Sequence, residues 1–198
     1  MKEFWDTRYA AEEYVYGTEP NEYFKSFIDP LEPESILLPT EGEGRNAVYA
    51  AARGWKVTAF NFSIYSKEKV LELTRQHNVS IDYQLTDYKH FKSDKKYDLV
   101  VLLYGHFAPE DRQEYHRKIR NFIKSGGILL LEAFSKEQIH NNSGGPKNPE
   151  ALYNKEMMKN DFGELQITTL EEVTKELKEE GFHEGKANII RLIATKTL

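Results

Sequence analysis

Six consecutive residues, Glu41-Gly42-Glu43-Gly44-Arg45-Asn46, have the types and spacing to hold a ligand. They follow the apolar run Ile36 to Leu38 and precede an alanine-rich segment, where a strand turns into a helix and an α/β sheet brings backbone close to a ligand. Side chains at Gly42 and Gly44 are expected to enter ligand space or to demand a disallowed turn, and the helix start offers N–H groups to a carboxylate or phosphate. A purely structural tight turn is the alternative. Gly42, Gly44 and Ala47 also satisfy G-x-G-x-x-A, which brings a nicotinamide or flavin enzyme into consideration. A dinucleotide site usually ends its second strand on Asp or Glu to bind the ribose, whereas this chain reads Ala59-Phe60-Asn61-Phe62-Ser63 there. Asn61 offers one acceptor oxygen and no charge.

His106 directly follows Tyr104-Gly105 after an apolar run, the position at which an open α/β sheet exposes its ligand crevice. Its imidazole titrates near neutral pH, which makes it the candidate general base, with structural packing beside Phe107 as the alternative. Tyr104 reads equally as a ligand contact or a core aromatic. Trp5, Arg8, Tyr9, Tyr14, Tyr16 and Asn21 place many aromatics and one cation near the N-terminus, suited either to cover a site and meet an anion or to dock a helix. The six histidines show no spacing with carboxylates of the kind a zinc enzyme uses, so no metal is expected. His116 is expected on a helix surface, and His183 in a loop role within the turn from Glu180 to Gly185.

Short apolar runs alternating with amphipathic segments position these residues and predict a mostly parallel sheet covered by helices. Five strands are read at Ile36 to Leu38, Val57 to Phe62, Val79 to Leu85, Leu99 to Tyr104 and Ile128 to Phe134. Helices are read from Arg45 to Arg53 before Gly54, from Ser63 or Ser66 to about Gln76, and after Pro109 through Ile123. Near the C-terminus, Leu170, Val173 and Leu177 sit at helical spacing, and Ala187 to Thr195 reads as a strand. Gln138 to Pro149, with Gly144, Gly145 and Pro146, reads as a long surface loop.

A chain of 198 residues with 39% hydrophobic content supports one core, and one domain over 1–198 is expected. A net charge of -5 argues against nucleic acid, and Lys89, His90, Lys92, Lys95 and Lys96 are interrupted by Phe91 and Asp94. The absence of cysteine removes disulfides and thiolate chemistry and fits the cytoplasm. The opening MKEFWDTRYAAEEY lacks the apolar run of a signal peptide, and no stretch is long enough to span a bilayer.

The run ILLPTEGEGRNAVYAAARGWKVTAFNFS resembles the cofactor-binding half of class I S-adenosylmethionine-dependent methyltransferases of the tellurite-resistance-like group. FWDTRYAAEEYVYGTEPNEYF is similar to that group's N-terminal lid, DYKHF to the end of its third strand, and YDLVVLLYGHF and SGGILLLEAFSKEQ to its fourth and fifth strands. The resemblance implies a Rossmann-like, doubly wound, seven-stranded α/β sheet, mostly parallel and ending in an antiparallel strand pair, about Ile167 to Glu176 and Ala187 to Thr195. It replaces the helical reading there and makes Asn154 to Phe162 the last helix. The implied regions are a lid over 1–34, a cofactor-binding core over 35–134, a loop over 135–150, and a C-terminal helix and strand pair over 151–198.

S-adenosylmethionine is the implied cofactor, and a small molecule the methyl acceptor. Arg8, Glu41, Gly42, Gly44, Arg45, Asn46, Asn61, Phe62, Ser63, Asp87, Tyr88 and Tyr104 are the implied cofactor contacts, with His106 as the base. In this reading Arg8 meets the methionine carboxylate or an anionic substrate. The family usually has an acid at the end of the first strand and a glycine soon after, and an acid at the end of the second. Here Leu38, Thr40 and Asn61 stand in those places. These departures motivate a second reading, a protein that binds an adenosyl ligand without turnover. The dinucleotide-dependent oxidoreductase is the third.

Overall fold

The computed structural model describes residues 2–179 and 181–197. Met1, Glu180 and Leu198, assigned above to the N-terminal segment, the turn before the last strand and the chain end, lie outside them. The elements run α1 (Lys2–Tyr9), α2 (Glu22–Ile28), β1 (Ser35–Pro39), α3 (Arg45–Ala52), β2 (Lys56–Asn61), α4 (Ile64–Gln76), β3 (Asp82–Leu85), β4 (Tyr97–Leu103), α5 (Pro109–Asn121), β5 (Ile123–Phe134), α6 (Lys155–Phe162), β6 (Gln166–Glu179) and β7 (His183–Thr195). The strands form one seven-stranded sheet in the order β3-β2-β1-β4-β5-β7-β6. β1–β2, β2–β3 and β4–β5 pair in parallel, whereas β5–β7 and β6–β7 are antiparallel, as the resemblance implied. No helix of the described residues is long and apolar enough to cross a membrane.

The chain forms two compact units, Met1–Lys92 and Ser93–Leu198. In the first, Ile36, Leu37 and Leu38 are all buried, the pattern of a parallel strand covered on both faces. α3 buries Ala47, Val48 and Ala50, and α4 buries Val70 and Leu73. α2 buries Phe24 and Ile28 and is capped by Asn21, whose side chain accepts from Phe24 N. β3 starts at Asp82, later than the Val79 read from the sequence.

In the second unit Leu99 to Leu102 of β4 and Leu129 to Leu131 of β5 form the buried centre. β7 alternates burial toward this core, and β6 buries only Leu177, its other residues being exposed or half-buried. Strand geometry defeats the helical spacing of Leu170, Val173 and Leu177 because every residue from Thr169 to Glu179 finds a partner along β7. The stretch 138–149 is no free surface loop. Gln138 and Ser143 are buried, Gln138 Nε2 donates to Ser143 Oγ and Gly144 O, and its Oε1 accepts from Asn188 N.

Two histidines depart from expectation in the same direction. His116 is fully buried between α5 and α6, where its Nδ1 lies 2.7 Å from Asp161 Oδ2. Arg112 Nε donates to the same oxygen at 2.8 Å, and Arg120 donates to Asp161 O. Helical spacing put His116 on α5, but an acid on α6 makes its inner face a tolerable place for an imidazole. His183 opens β7 as a buried residue 2.8 Å from Glu179 Oε2.

Burial lowers the His116 pKa against the pull of Asp161, so the imidazole is neutral and donates from Nδ1. Burial alone would raise the Asp161 carboxyl, but His116 and Arg112 outweigh it and hold the group below its ordinary value. A depressed carboxylate contributes stability above its unfolded pKa that is lost as pH falls through its folded one. Asp161→Asn should therefore destabilise at neutral pH by about 3–5 kcal/mol, since it leaves a buried guanidinium uncompensated. Urea melts should show the deficit at pH 7 and a smaller one in acid, where the native carboxylate also protonates. A deficit independent of pH would assign the loss to packing alone.

Candidate functional site

The turn between β1 and α3 is built from backbone that most residues avoid. Thr40, Gly42 and Gly44 have φ of 51°, 64° and 91°, and only the glycines reach such values without a steric cost. Glu41 closes the turn. Its Oε1 accepts from Asn46 N at 2.8 Å and Ala47 N at 2.7 Å, which places a carboxylate of the chain itself on the first N–H groups of α3. Burial raises the Glu41 pKa to about 7, against the opposing pull of those two amides and Arg45.

The left-handed φ of both glycines is the demanding turn expected of them, and a second constraint adds to it. A Cβ on Gly42 would stand 2.9 Å from the Tyr9 hydroxyl, and one on Gly44 would stand 2.6 Å from Val70 Cγ2. Protein atoms, rather than ligand space, crowd both positions.

The remaining turn residues hold the N-terminal segment. Glu43 Oε2 accepts from Val15 N at 2.8 Å, and its Oε1 meets Lys69 Nζ at 2.6 Å. Arg45 donates to Tyr16 O, and Asn46 Oδ1 accepts from Asn21 N. Arg8 donates to the Tyr16 hydroxyl and lies over the Phe4 ring at 4.5 Å and the Trp5 ring at 5.3 Å. Trp5 stacks on the buried Tyr9. The aromatic cluster thus packs against the glycine turn within this unit.

At the ends of β2 and β3, Asn61 is buried and its Oδ1 accepts from Ser63 N, while Phe62 is half-buried. Two buried hydroxyls, Thr40 Oγ1 and Ser63 Oγ, have no hydrogen-bond partner among the described residues. They stand just beyond β1 and β2, where an open sheet meets its ligand, and a hydroxyl-rich adenosyl group suits them. Asp87 accepts from both the backbone N–H and the imidazole of His90, and burial, which would raise its pKa, is outweighed by those bonds. Tyr88 is buried edge-on to Phe60.

In the second unit Tyr104, at φ of 49°, donates its hydroxyl to Glu132 Oε1 at 3.1 Å. His106 departs from its expected role. Its Nδ1 is 2.8 Å from Ala151 O, and its Nε2 accepts from Phe134 N at 3.1 Å, so both nitrogens join backbone groups. Burial lowers its pKa to about 4. A neutral imidazole donating from Nδ1 and accepting at Nε2 is structural, with no lone pair left to take an acceptor's proton. Glu132, Arg191 and Lys69 were overlooked by the motif reading. The signal for Glu132 was a single acid inside the apolar run 128–134.

Gly44→Ala should lower stability by about 1–3 kcal/mol, from its left-handed φ and the clash with Val70. Val70→Ala in the same chain should recover the steric part in a double-mutant cycle, whereas additive losses would show that the Val70 contact carries none of it. For His106 the pH window is set by its ordinary 6.5 and folded value near 4. The unfolded chain takes up a proton first, so stability is intact above 6.5 and declines as pH falls toward 4. That component should vanish in His106→Gln, measured by chemical denaturation across the range; an identical slope would move it to another group.

Residues 37–127 match a family described as a methyltransferase domain. A ubiquinone biosynthesis O-methyltransferase of Rickettsia canadensis (strain McKiel) is 26% identical over 115 residues, 58% of this chain and 49% of that protein, so the chain spans about half the length of this curated relative. Among solved structures, TehB from Haemophilus influenzae superposes with a TM-score of 0.73 at 17% identity over 99% of this chain and 67% of its own. A protein solved in connection with conversion of a disulfide bond into a thioacetal group during echinomycin biosynthesis superposes with a TM-score of 0.80 at 11% identity, over 100% and 92%. The segment that matches the methyltransferase-domain family runs from β1 into β5, and over nearly its whole length the chain shares the class I methyltransferase fold of these structures.

Proposed function

We propose that this chain transfers a methyl group from S-adenosylmethionine to a small-molecule acceptor. One observation carries the reading: the methyltransferase-domain match spans the glycine turn, Asn61, Asp87 and Tyr104 together. The cofactor supplies an electrophilic methyl group on a sulfonium, so the protein's tasks are placement and exclusion of water. Thr40, Asn61 and Ser63 supply neutral hydrogen-bonding groups for the adenosyl portion, and Glu41 supplies a carboxylate whose direction is fixed by the start of α3. The segment from α1 through Tyr16 covers the turn from which these groups project.

A second reading, adenosyl-ligand binding without turnover, is favoured by Asn61 and by Glu41 already occupying the amides of α3. Calorimetry with S-adenosylmethionine, S-adenosylhomocysteine and NAD separates the classes. Binding of both adenosyl ligands and not NAD is expected, and NAD binding alone would overturn the assignment. A labelled methyl donor with a metabolite extract then tests turnover, since ligand binding with no labelled product supports the second reading. Asn61→Ala should weaken S-adenosylhomocysteine by about 0.5–1.5 kcal/mol, one hydrogen bond's worth. An unchanged dissociation constant would move the ribose contact elsewhere.

A further inference from the structure

Glu41 does more than the start of α3 requires. Its Oε1 accepts from Asn46 N and Ala47 N, and the Asn46 side chain also bonds the carboxylate. A neutral amide oxygen would satisfy the same two backbone N–H groups. A helix start favours an anion, yet here burial outweighs the amides and Arg45 and lifts the carboxyl from 4.5 to about 7. The turn needs the Glu41 oxygen but not its charge, and a buried charge without a structural task calls for another use.

The surroundings of Glu41 indicate one. The charges beside it are engaged elsewhere: Glu43 meets Lys69 Nζ of α4 at 2.6 Å, and Arg45 donates to the carbonyl oxygens of Tyr16 and Glu19. Tyr9 of α1 and Tyr83 of β3 are neutral phenols, kept from ionising by burial first and then by neighbours that include Glu41 and Glu43. Asn61, at the end of β2, carries no charge. Thr40, the residue before Glu41, holds a branched side chain at φ of 51°, and its buried hydroxyl has no hydrogen-bond partner among the described residues. Ser63 Oγ, beyond the neighbouring strand, is in the same condition. Glu41 N donates to Phe60 O, so Glu41 sits where the ends of β1 and β2 that carry these hydroxyls meet. Hydroxyls buried without partners call for a ligand there, and Glu41 borders the place it would occupy.

We propose that Glu41 is the residue by which the site prefers the cationic S-adenosylmethionine to its neutral product, S-adenosylhomocysteine. The inference rests on the methyl-transfer reading above. The two ligands differ by one methyl group and one positive charge, so hydrogen bonds to the adenosyl portion hold both alike. A carboxylate near the sulfonium favours the cation alone. The coupling is reciprocal: the cation favours the ionised carboxylate, so S-adenosylmethionine drives the Glu41 proton to solvent as it binds. In methyl transfer the acceptor bonds to the methyl carbon, the carbon–sulfur bond breaks with its electron pair left on sulfur, and any acceptor proton is lost to solvent. The sulfonium is then a neutral thioether. Glu41 takes a proton back from solvent, and the product leaves without the attraction that held the substrate.

The test is calorimetry on the full chain with S-adenosylmethionine, sinefungin and S-adenosylhomocysteine at about pH 6 and about pH 8, on either side of the folded value of Glu41. Sinefungin carries an ammonium group in place of the methylated sulfonium, so it repeats the charge without a transferable methyl. The preference for both cations over S-adenosylhomocysteine should rise about tenfold across that range, the effect of an opposite charge that moves a carboxyl by about one pH unit. Glu41→Gln keeps an oxygen for the α3 amides and cannot ionise. It should abolish the rise and weaken the two cations about tenfold at the higher pH, with S-adenosylhomocysteine little changed. Near the folded value, titrations of the unmodified chain in two buffers of different ionisation enthalpy should show proton release with the cations and none with S-adenosylhomocysteine. That measurement decides the matter if Glu41→Gln fails to fold. A preference that does not change with pH, a rise that survives in Glu41→Gln, or equal proton release with all three ligands overturns the proposal. If no adenosyl ligand binds at either pH, the methyl-transfer reading falls, and this proposal with it.

Discussion

A short stretch of improbable backbone organises the first unit. Between β1 and α3 the chain passes through three residues at positive φ, and it can do so because Glu41 reaches forward to bond Asn46 N and Ala47 N. That carboxylate satisfies helix amides which otherwise call for solvent or a ligand, and it pins the reversal from strand to helix. Everything docked on the turn then depends on it: Tyr9 against Gly42, Val70 against Gly44, and the chain at Val15, Tyr16 and Asn21 against Glu43, Arg45 and Asn46. The consecutive residues Glu41 to Asn46 therefore do structural work in two directions, inward to α3 and outward to the N-terminal segment.

The second unit uses polar groups differently, burying them in pairs within an apolar frame. Asp161 gathers His116, Arg112 and Arg120, which joins α5 to α6 through directional bonds rather than packing alone. His106 bridges Phe134 N and Ala151 O, tying the end of β5 to the segment before α6. Glu132 and Arg191 do the same across β5 and β7. Buried groups of this kind tolerate few alternative arrangements, because any shift leaves a charge or a polar atom unsatisfied.

Much of the architecture was legible because periodicity and punctuation coincide. Apolar runs near 36–38, 57–62, 99–104 and 128–134 lie on observed strands, and Gly54 and Pro109 flank helices where their conformational preferences place them. The last strand pair was ambiguous from spacing, since Leu170, Val173 and Leu177 suit a helix; the family resemblance resolved it. The roles of single polar residues were less legible. His116 reads as a surface residue until Asp161, 45 positions away, is known to face it. His106 occupies the expected place after β4, yet a sequence does not reveal that backbone groups at 134 and 151 reach its two nitrogens. The turn's need for glycine was legible and is met as positive φ at Gly42 and Gly44, whereas the crowding by Tyr9 and Val70 comes from distant parts of the chain.

β6 ends the strand order, so one side of its 14-residue backbone lies outside the ladder it forms with β7. A strand of that length at a sheet margin is a template on which another chain can add, the usual beginning of ordered aggregation. Its side chains oppose that outcome. Glu171, Glu172, Lys175, Glu176, Lys178 and Glu179 place charge along the strand from its middle to its end, and a copy aligned on that margin would have to desolvate them and bring several like charges together. The hairpin that extends the sheet is thereby also its terminator, and the colloidal stability of the folded chain depends on residues far from the glycine turn.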